Sequence, residues 1–284
     1  MVKKKVSIAI PASVISDTPH FREKTSKIGL IGRAAAIFRI EEIHVYPDNP
    51  RVNQTRDLAF IALLLNYLET PQYLRKRMFK IEPDLQFAGI LPPLRTPHHP
   101  LSGNIRDLKA GDYREGLVLS QAKEGLLLEI GVDRPALLRE RQFSVGERLT
   151  LQVIKTGEQV EVQTVNREDV PFYWGFRVTV EKRSFGQLAR EGGYDLTVAT
   201  ARVGDSFMDV ESKIGRKWSV ASKVLLGFGA PARGLHEIVK DEGLNLEDVA
   251  DFVVNTIPGQ GTVTVRTEEA LLASLAIFNV HFNY

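Results

Sequence analysis

The chain has 284 residues, 43% of them hydrophobic and 25% charged, no cysteine, and a formal net charge of +2. That length accommodates one large or two modest domains with a full core. The missing thiols exclude disulfides, thiolate catalysis and cysteine-held zinc, and so small a net charge leaves any nucleic-acid role to local clusters of cations.

The basic Met1–Lys5 start runs into a short buried strand, Val6–Ile10, stopped by Pro11, which is no signal-peptide core. The longest apolar run, Leu58–Leu65, is far below a membrane span, so a soluble cytoplasmic protein with no membrane partner is expected. Phe21–Phe38 reads as mostly helical, with Ile28, Ile31, Ala35 and Phe38 on one face by three- and four-residue steps. Gly29 and Gly32 each cost about 1 kcal/mol there relative to Ala. Their presence implies close approach, either of another backbone or a ligand, or within a tight helix–sheet contact. Glu42–Tyr46 is a second strand and Arg56–Leu68 an apolar helix. Thr70-Pro71 then restarts a helix with Thr as N-cap and Pro at the first helical position. That helix carries Arg75, Lys76, Arg77 and Lys80, a cluster able to meet phosphates or simply to face solvent.

Composition shifts at Leu91–Pro100, which can be neither helix nor central strand and reads as a linker. Its adjacent His98 and His99 lack metal-ligand spacing, and no metal is expected. Beyond it the period falls to two. Tyr113–Ser120, Gly125–Gly131, Arg148–Lys155, Val160–Val165 and Trp174–Val180 read as five strands of a small OB-like barrel, a fold whose open face often binds oligonucleotides. Tyr113, Arg114, Phe172, Tyr173, Trp174 and Arg177 would supply stacking rings and cations, unless the aromatics fill the barrel core. From Phe185 the α/β pattern returns, with strands at Tyr194–Ala201, Lys223–Phe228 and Phe252–Ile257. The last helix, Glu268–Phe278, has Thr267 as N-cap and Glu268 and Glu269 in its first turn, where carboxylates complement the helix dipole. It is apolar nearly all round and must be covered on several sides, a second copy included. The expected architecture is one α/β domain from residues 1–93 and 185–284, interrupted by the barrel at 94–184.

Two glycine loops lie just beyond strand ends, where α/β proteins place ligands. Gly227-Phe-Gly229-Ala-Pro-Ala-Arg-Gly234 has alanine where the dinucleotide fingerprint wants its third glycine, and Leu235-His236 where a P-loop needs Lys-Ser/Thr. The loop therefore suits a ligand that needs close backbone approach without a polyphosphate to neutralise.

Three segments together resemble the SPOUT methyltransferases, and more narrowly the archaeal and eukaryotic branch of RNA uridine N3-methyltransferases. They are Lys27-Ile-Gly-Leu-Ile-Gly-Arg-Ala-Ala-Ala-Ile-Phe38, the Leu226–Leu235 loop, and Asn255-Thr-Ile-Pro-Gly-Gln-Gly-Thr with the Val265–Leu275 run that follows. The resemblance implies a parallel sheet with a C-terminal trefoil knot, a rare exception to the rule against threading. It also implies a homodimer, S-adenosylmethionine as cofactor, and a uridine of large-subunit ribosomal RNA as target. Carried over by position, it places cofactor contacts at Thr200, at Gly227, Phe228, Gly229 and Gly234, and at Ile257, Pro258, Gly259, Gln260 and Gly261. Further contacts fall at Val265, Arg266, Thr267 and Ala270.

Arg33 matches the arginine that works at the target nucleotide. Lys27 stands where ribose-methylating members have asparagine, which is compatible with a base target. Uridine N3 holds its proton too tightly to attack unaided, so Arg33 would stabilise the developing anion and Glu268 or Glu269 would take the proton. RNA contacts are expected at Arg75, Lys76, Arg77, Lys80, Tyr113, Arg114, Trp174 and Arg177. A protein of another class, binding RNA or assisting ribosome assembly on the same fold without turnover, would be set apart by failing to bind the cofactor.

Overall fold

The structure is a computed structural model that describes residues 4–282; the first three residues of the basic N-terminus lie outside the described residues. The chain forms two compact units. One comprises the chain up to Leu68, Asp84–Pro92 and everything from Phe176 onward; the other comprises Glu69–Pro83 and Pro93–Gly175. Among the described residues no helix is long and apolar enough to cross a membrane.

In chain order the elements are β1 (Lys5–Pro11), α1 (Phe21–Ile37), β2 (Glu42–Tyr46), α2 (Thr55–Glu69) and α3 (Gln72–Met78). The second unit then supplies β3 (Tyr113–Ala122), β4 (Gly125–Glu129), β5 (Ala136–Leu138), β6 (Arg148–Lys155) and β7 (Glu161–Thr164). The chain closes with β8 (Arg177–Val180), α4 (Phe185–Glu191), β9 (Leu196–Ser206), α5 (Phe207–Val220), β10 (Lys223–Gly227), α6 (Leu235–Asp241), β11 (Phe252–Asn255) and α7 (Thr267–Phe282).

The first unit is built on a six-stranded sheet in the order β11-β9-β10-β1-β2-β8, and every pairing is parallel. Strands covered on both faces must be continuously apolar. β1 and β10 are buried at every residue but the first, with Ile8 paired to Ile43 on one side and to Leu226 on the other. The chain moves outward from β1 in one direction through β2 and in the other through β10. The carboxyl ends beside that switch point leave the crevice in which open α/β sheets bind ligands. α1 packs tightly there. A Cβ at Gly32 would lie 2.5 Å from Leu68 Cδ2, and one at Gly29 2.8 Å from Pro92 Cδ. Both glycines thus serve close packing against α2 and the Leu91-Pro92 segment.

The ladder between β11 and β9 is interrupted. Val253 pairs with Ala199 but Val254 with Asp205, so residues 200–204 leave the register as a bulge towards the strand's carboxyl end.

In the second unit β3-β4-β5-β7-β6 close into a barrel around Val118, Leu126, Leu128, Leu138, Leu151 and Val162. The strand expected at Trp174–Val180 is not part of it: Arg177–Val180 pairs in parallel with β2, Ile43 facing Val178, at the edge of the large sheet. The barrel's remaining strand is instead Ala136–Leu138, three wholly buried residues. Period-two alternation marks a strand but not its sheet, and three consecutive buried residues show no alternation at all.

The expected linker is anchored rather than loose within this unit. His98 is fully buried, and both His98 and His99 donate from Nε2 to the Glu69 carbonyl, at 2.9 and 2.7 Å. The Glu69 carboxylate in turn meets Arg148 at 2.8 Å and Arg167 at 3.4 Å, while Arg148 also holds Glu115.

Candidate active site

At the carboxyl edge of the sheet, the bulge of β9, the loop after β10 and the segment between β11 and α7 enclose a cavity of about 430 Å³. Thr200, Phe228, Gly229, Gly234, Ile257, Gln260, Val265, Thr267 and Ala270 line it; Gly227, Pro258, Gly259, Gly261 and Arg266 do not. At Gly227 a Cβ would sit 2.4 Å from two atoms of the Phe185 ring, so packing alone demands glycine there.

The walls are stitched to one another. Thr200 Oγ1 donates to the Gly227 carbonyl, and Tyr46 Oη to the Phe228 carbonyl, which seats the loop after β10 between β9 and β2. Thr267 Oγ1 donates to the Gly229 carbonyl at 2.9 Å, tying the start of α7 to that loop. Asn255 Nδ2 reaches the Arg202 carbonyl, and Arg202 Nη1 reaches the Val263 carbonyl, so the bulge is bound to the segment before α7. Gln260 folds back on the carbonyls of Thr262 and Val263.

α7 begins at Thr267, so the cap position falls to Arg266, whose backbone N–H is met by the Glu269 carboxylate. The threonine expected as cap spends its hydroxyl on the neighbouring loop instead. Glu268 turns towards α1: its Oε2 lies 3.3 Å from Lys27 Nζ, and Lys27 is also 2.6 Å from Asp17. The Lys27 and Glu268 side chains are 4% and 9% exposed, and among the described residues Glu268 Oε2 accepts no hydrogen bond. Burial alone would raise the Asp17 carboxyl, but the bond and charge of Lys27 outweigh it and hold it below its ordinary range. Neither Glu268, Glu269 nor the half-buried Arg33 lines the cavity.

Arg202, Arg233, His236 and Glu237 also line the cavity and were not foreseen. Arg233 pins the loop to α6 through Asp241 at 2.7 Å and to the Asp48 carbonyl at 3.2 Å. Asp48 is itself a buried hub, accepting from Ser13 N and Oγ and from Gln54 Nε2. Arg233 was visible in the glycine loop, but its partners are remote in sequence and carried no signal.

Lys76, Arg77 and Lys80 are exposed, which suits a solvated face as well as a phosphate contact. Arg75 donates from Nε to the Thr70 carbonyl, and Arg77 lies 3.7 Å from Glu129. Tyr113 packs edge-on against Phe172 at 5.6 Å, with Arg114 on the Tyr113 carbonyl. Two placements need correction. Trp174 is 3% exposed and donates its indole N–H to Glu115, which makes it a core residue rather than a stacking platform. Arg177 stands on β8 in the large sheet rather than on the barrel. Among the described residues no three His, Asp or Glu side chains form a metal-binding group.

Comparison with known proteins adds the family. The family model described as "Putative RNA methyltransferase" matches residues 5–278. A protein of Halobacterium salinarum described as uncharacterized is 34% identical, over 95% of this chain and 96% of its own length. The chain is also similar to proteins named 28S rRNA (uridine-N(3))-methyltransferase. That of Homo sapiens is 32% identical over 95% of this chain and 77% of its own, and that of Mus musculus 32% over 95% and 75%.

Proposed function

The chain belongs to the RNA methyltransferase family whose model it matches from residue 5 to residue 278, and on that premise we propose that it methylates N3 of a uridine in large-subunit ribosomal RNA, with S-adenosylmethionine as donor. The observation that carries the reading is the cavity at the sheet's carboxyl edge. Its volume of about 430 Å³ suits a nucleoside-sized ligand. Its lining includes Gly229, Ala230, Ala232 and Gly234, whose small side chains let an adenosine approach the backbone, and polar side chains such as Thr200, Asn255 and Gln260 that can meet it. The cofactor, when bound, supplies an electrophilic methyl group on a sulfonium.

What remains for the protein is to position the nucleophile and to manage charge. Arg33 is assigned to the target base, where a cation stabilises the anion that develops as N3 loses its proton. The two carboxylates proposed as proton acceptors differ in placement. Glu268 is closed off beside Lys27, whereas Glu269 is exposed and, among the described residues, meets the Arg266 backbone N–H, which favours Glu269. A knotted C-terminal segment and a homodimer belong to the same reading. Leu272 and Val280, 48% and 78% exposed on α7, leave apolar side chains that a second copy could cover.

Titration calorimetry with S-adenosylmethionine tests the assignment. Micromolar binding is expected for the wild type. Thr267→Val, which removes the bond to Gly229, is expected to bind several-fold more weakly. Arg33→Ala should bind the cofactor normally and lose methyl transfer to ribosomal RNA. No cofactor binding by the wild type would sink the reading; full turnover by Arg33→Ala would remove only Arg33.

A further inference from the structure

The barrel unit carries a second cavity, of about 510 Å³, at the start of β6 and the end of β7. None of the barrel residues expected to meet RNA lines it. Its floor is apolar: Phe143 and Leu149 are partly buried and pack on the barrel core, with Val165 beside them. Two of its hydroxyls are already spent on the protein, Thr150 Oγ1 on Glu115 and Thr164 Oγ1 on Glu140. The remaining polar groups are Gln142, Asn166 and Asp169, all exposed at the rim. Asn166 turns its amide N–H towards Asp169 at 2.9 Å, while Gln142 makes only a 3.4 Å contact to Glu140. The rim therefore offers chiefly acceptors, and its carboxylate repels a phosphate.

We propose that this cavity holds one unpaired nucleobase of the RNA, stacked on Phe143, with its exocyclic amine directed at Asn166 and Asp169. A ring with one flat apolar face and one hydrogen-bonding edge is the ligand that an apolar floor beside an amide-and-carboxylate rim accepts. Adenine, cytosine and guanine carry such an amine; uracil does not. The site thus reads a nucleotide other than the uridine to be methylated, and it rests on the RNA reading given above.

Fluorescence anisotropy with labelled single-stranded oligo-A, oligo-C and oligo-U of equal length tests it, using the whole protein. The wild type should bind oligo-A and oligo-C more tightly than oligo-U. Phe143→Ala should bind oligo-A about 5- to 150-fold more weakly, in keeping with about 1–3 kcal/mol per stacked base. Asn166 and Asp169 are exposed, so Asn166→Ala/Asp169→Ala leaves the core intact, and it should erase the preference over oligo-U. Equal binding of oligo-A by the wild type and both variants would overturn the site, and a wild type that favours oligo-U would overturn the amine-edge assignment. A wild type that binds none of the three and methylates no ribosomal RNA would instead overturn the RNA reading itself.

Discussion

Lys27 shows what one residue can say before and after its neighbours are known. In the sequence it is an unexpected cation ahead of a glycine in an apolar helix. In the fold it is a buried ammonium between Asp17 and Glu268, joining the loop after β1, α1 and the first turn of α7. That turn also holds the loop after β10 through Thr267 and Gly229, so the ion pair is built into the support of the cavity wall. Removing one partner of a buried pair costs about 3–5 kcal/mol because the other charge is left stranded, whereas removing both is often neutral. Lys27→Met should therefore lower the melting temperature markedly, and Lys27→Met/Glu268→Gln should recover most of the loss. A single variant as stable as the wild type would show that Glu268 needs no counter-charge. Glu268 and Glu269 looked equivalent in sequence, since both sit in a helix's first turn. Only packing separates the one that faces α1 from the one that faces solvent.

At the scale of elements, most strands of the sheet unit and the helices α1, α2 and α7 were legible, because buried parallel strands are continuous apolar runs and such helices keep a three-and-four period; α4 and α5 were not foreseen. Sheet membership was not legible. Arg177–Val180 reads as well for a barrel strand as for the sheet edge it forms, and Ala136–Leu138 is too short to register at all. Leu91–Pro100 was assigned by its prolines, which hide that His98 is a core residue.

Its partner Glu69 carries an acid-dependence of stability. Burial alone would raise that carboxyl, but Arg148, the bond and charge of His98, and Arg167 outweigh it and hold it well below its ordinary value of 4.5. A carboxylate depressed in the folded state adds stability that is present above its unfolded pKa and lost as the pH falls through the folded value. Glu69→Gln should therefore flatten the decline of barrel stability below about pH 4.5. An acid limb with the wild-type slope would mean that other carboxylates set it. His99 is neutral in the upper part of this window and takes its charge only around pH 3, because burial and the neighbouring His98 push it down to about 3.

At the scale of the molecule, family membership and the parallel sheet rest on patterns spread over nearly the whole chain, which is why they could be read early. The cavity could be read only in part. Glycine loops announce themselves, but the residues that brace them, such as Asp48 and Arg233, belong to other segments.

The bulge in β9 has a consequence in time rather than in shape. A ladder that jumps from Ala199 to Asp205 protects the amides on its near side and leaves residues 200–204 to be ordered by whatever fills the space beside them. Hydrogen–deuterium exchange should run faster at residues 200–204 than at 196–199 in the free protein, and slow at those five positions when S-adenosylmethionine is added. The strand would then act as a clock, its exchange rate reporting how long the cofactor stays.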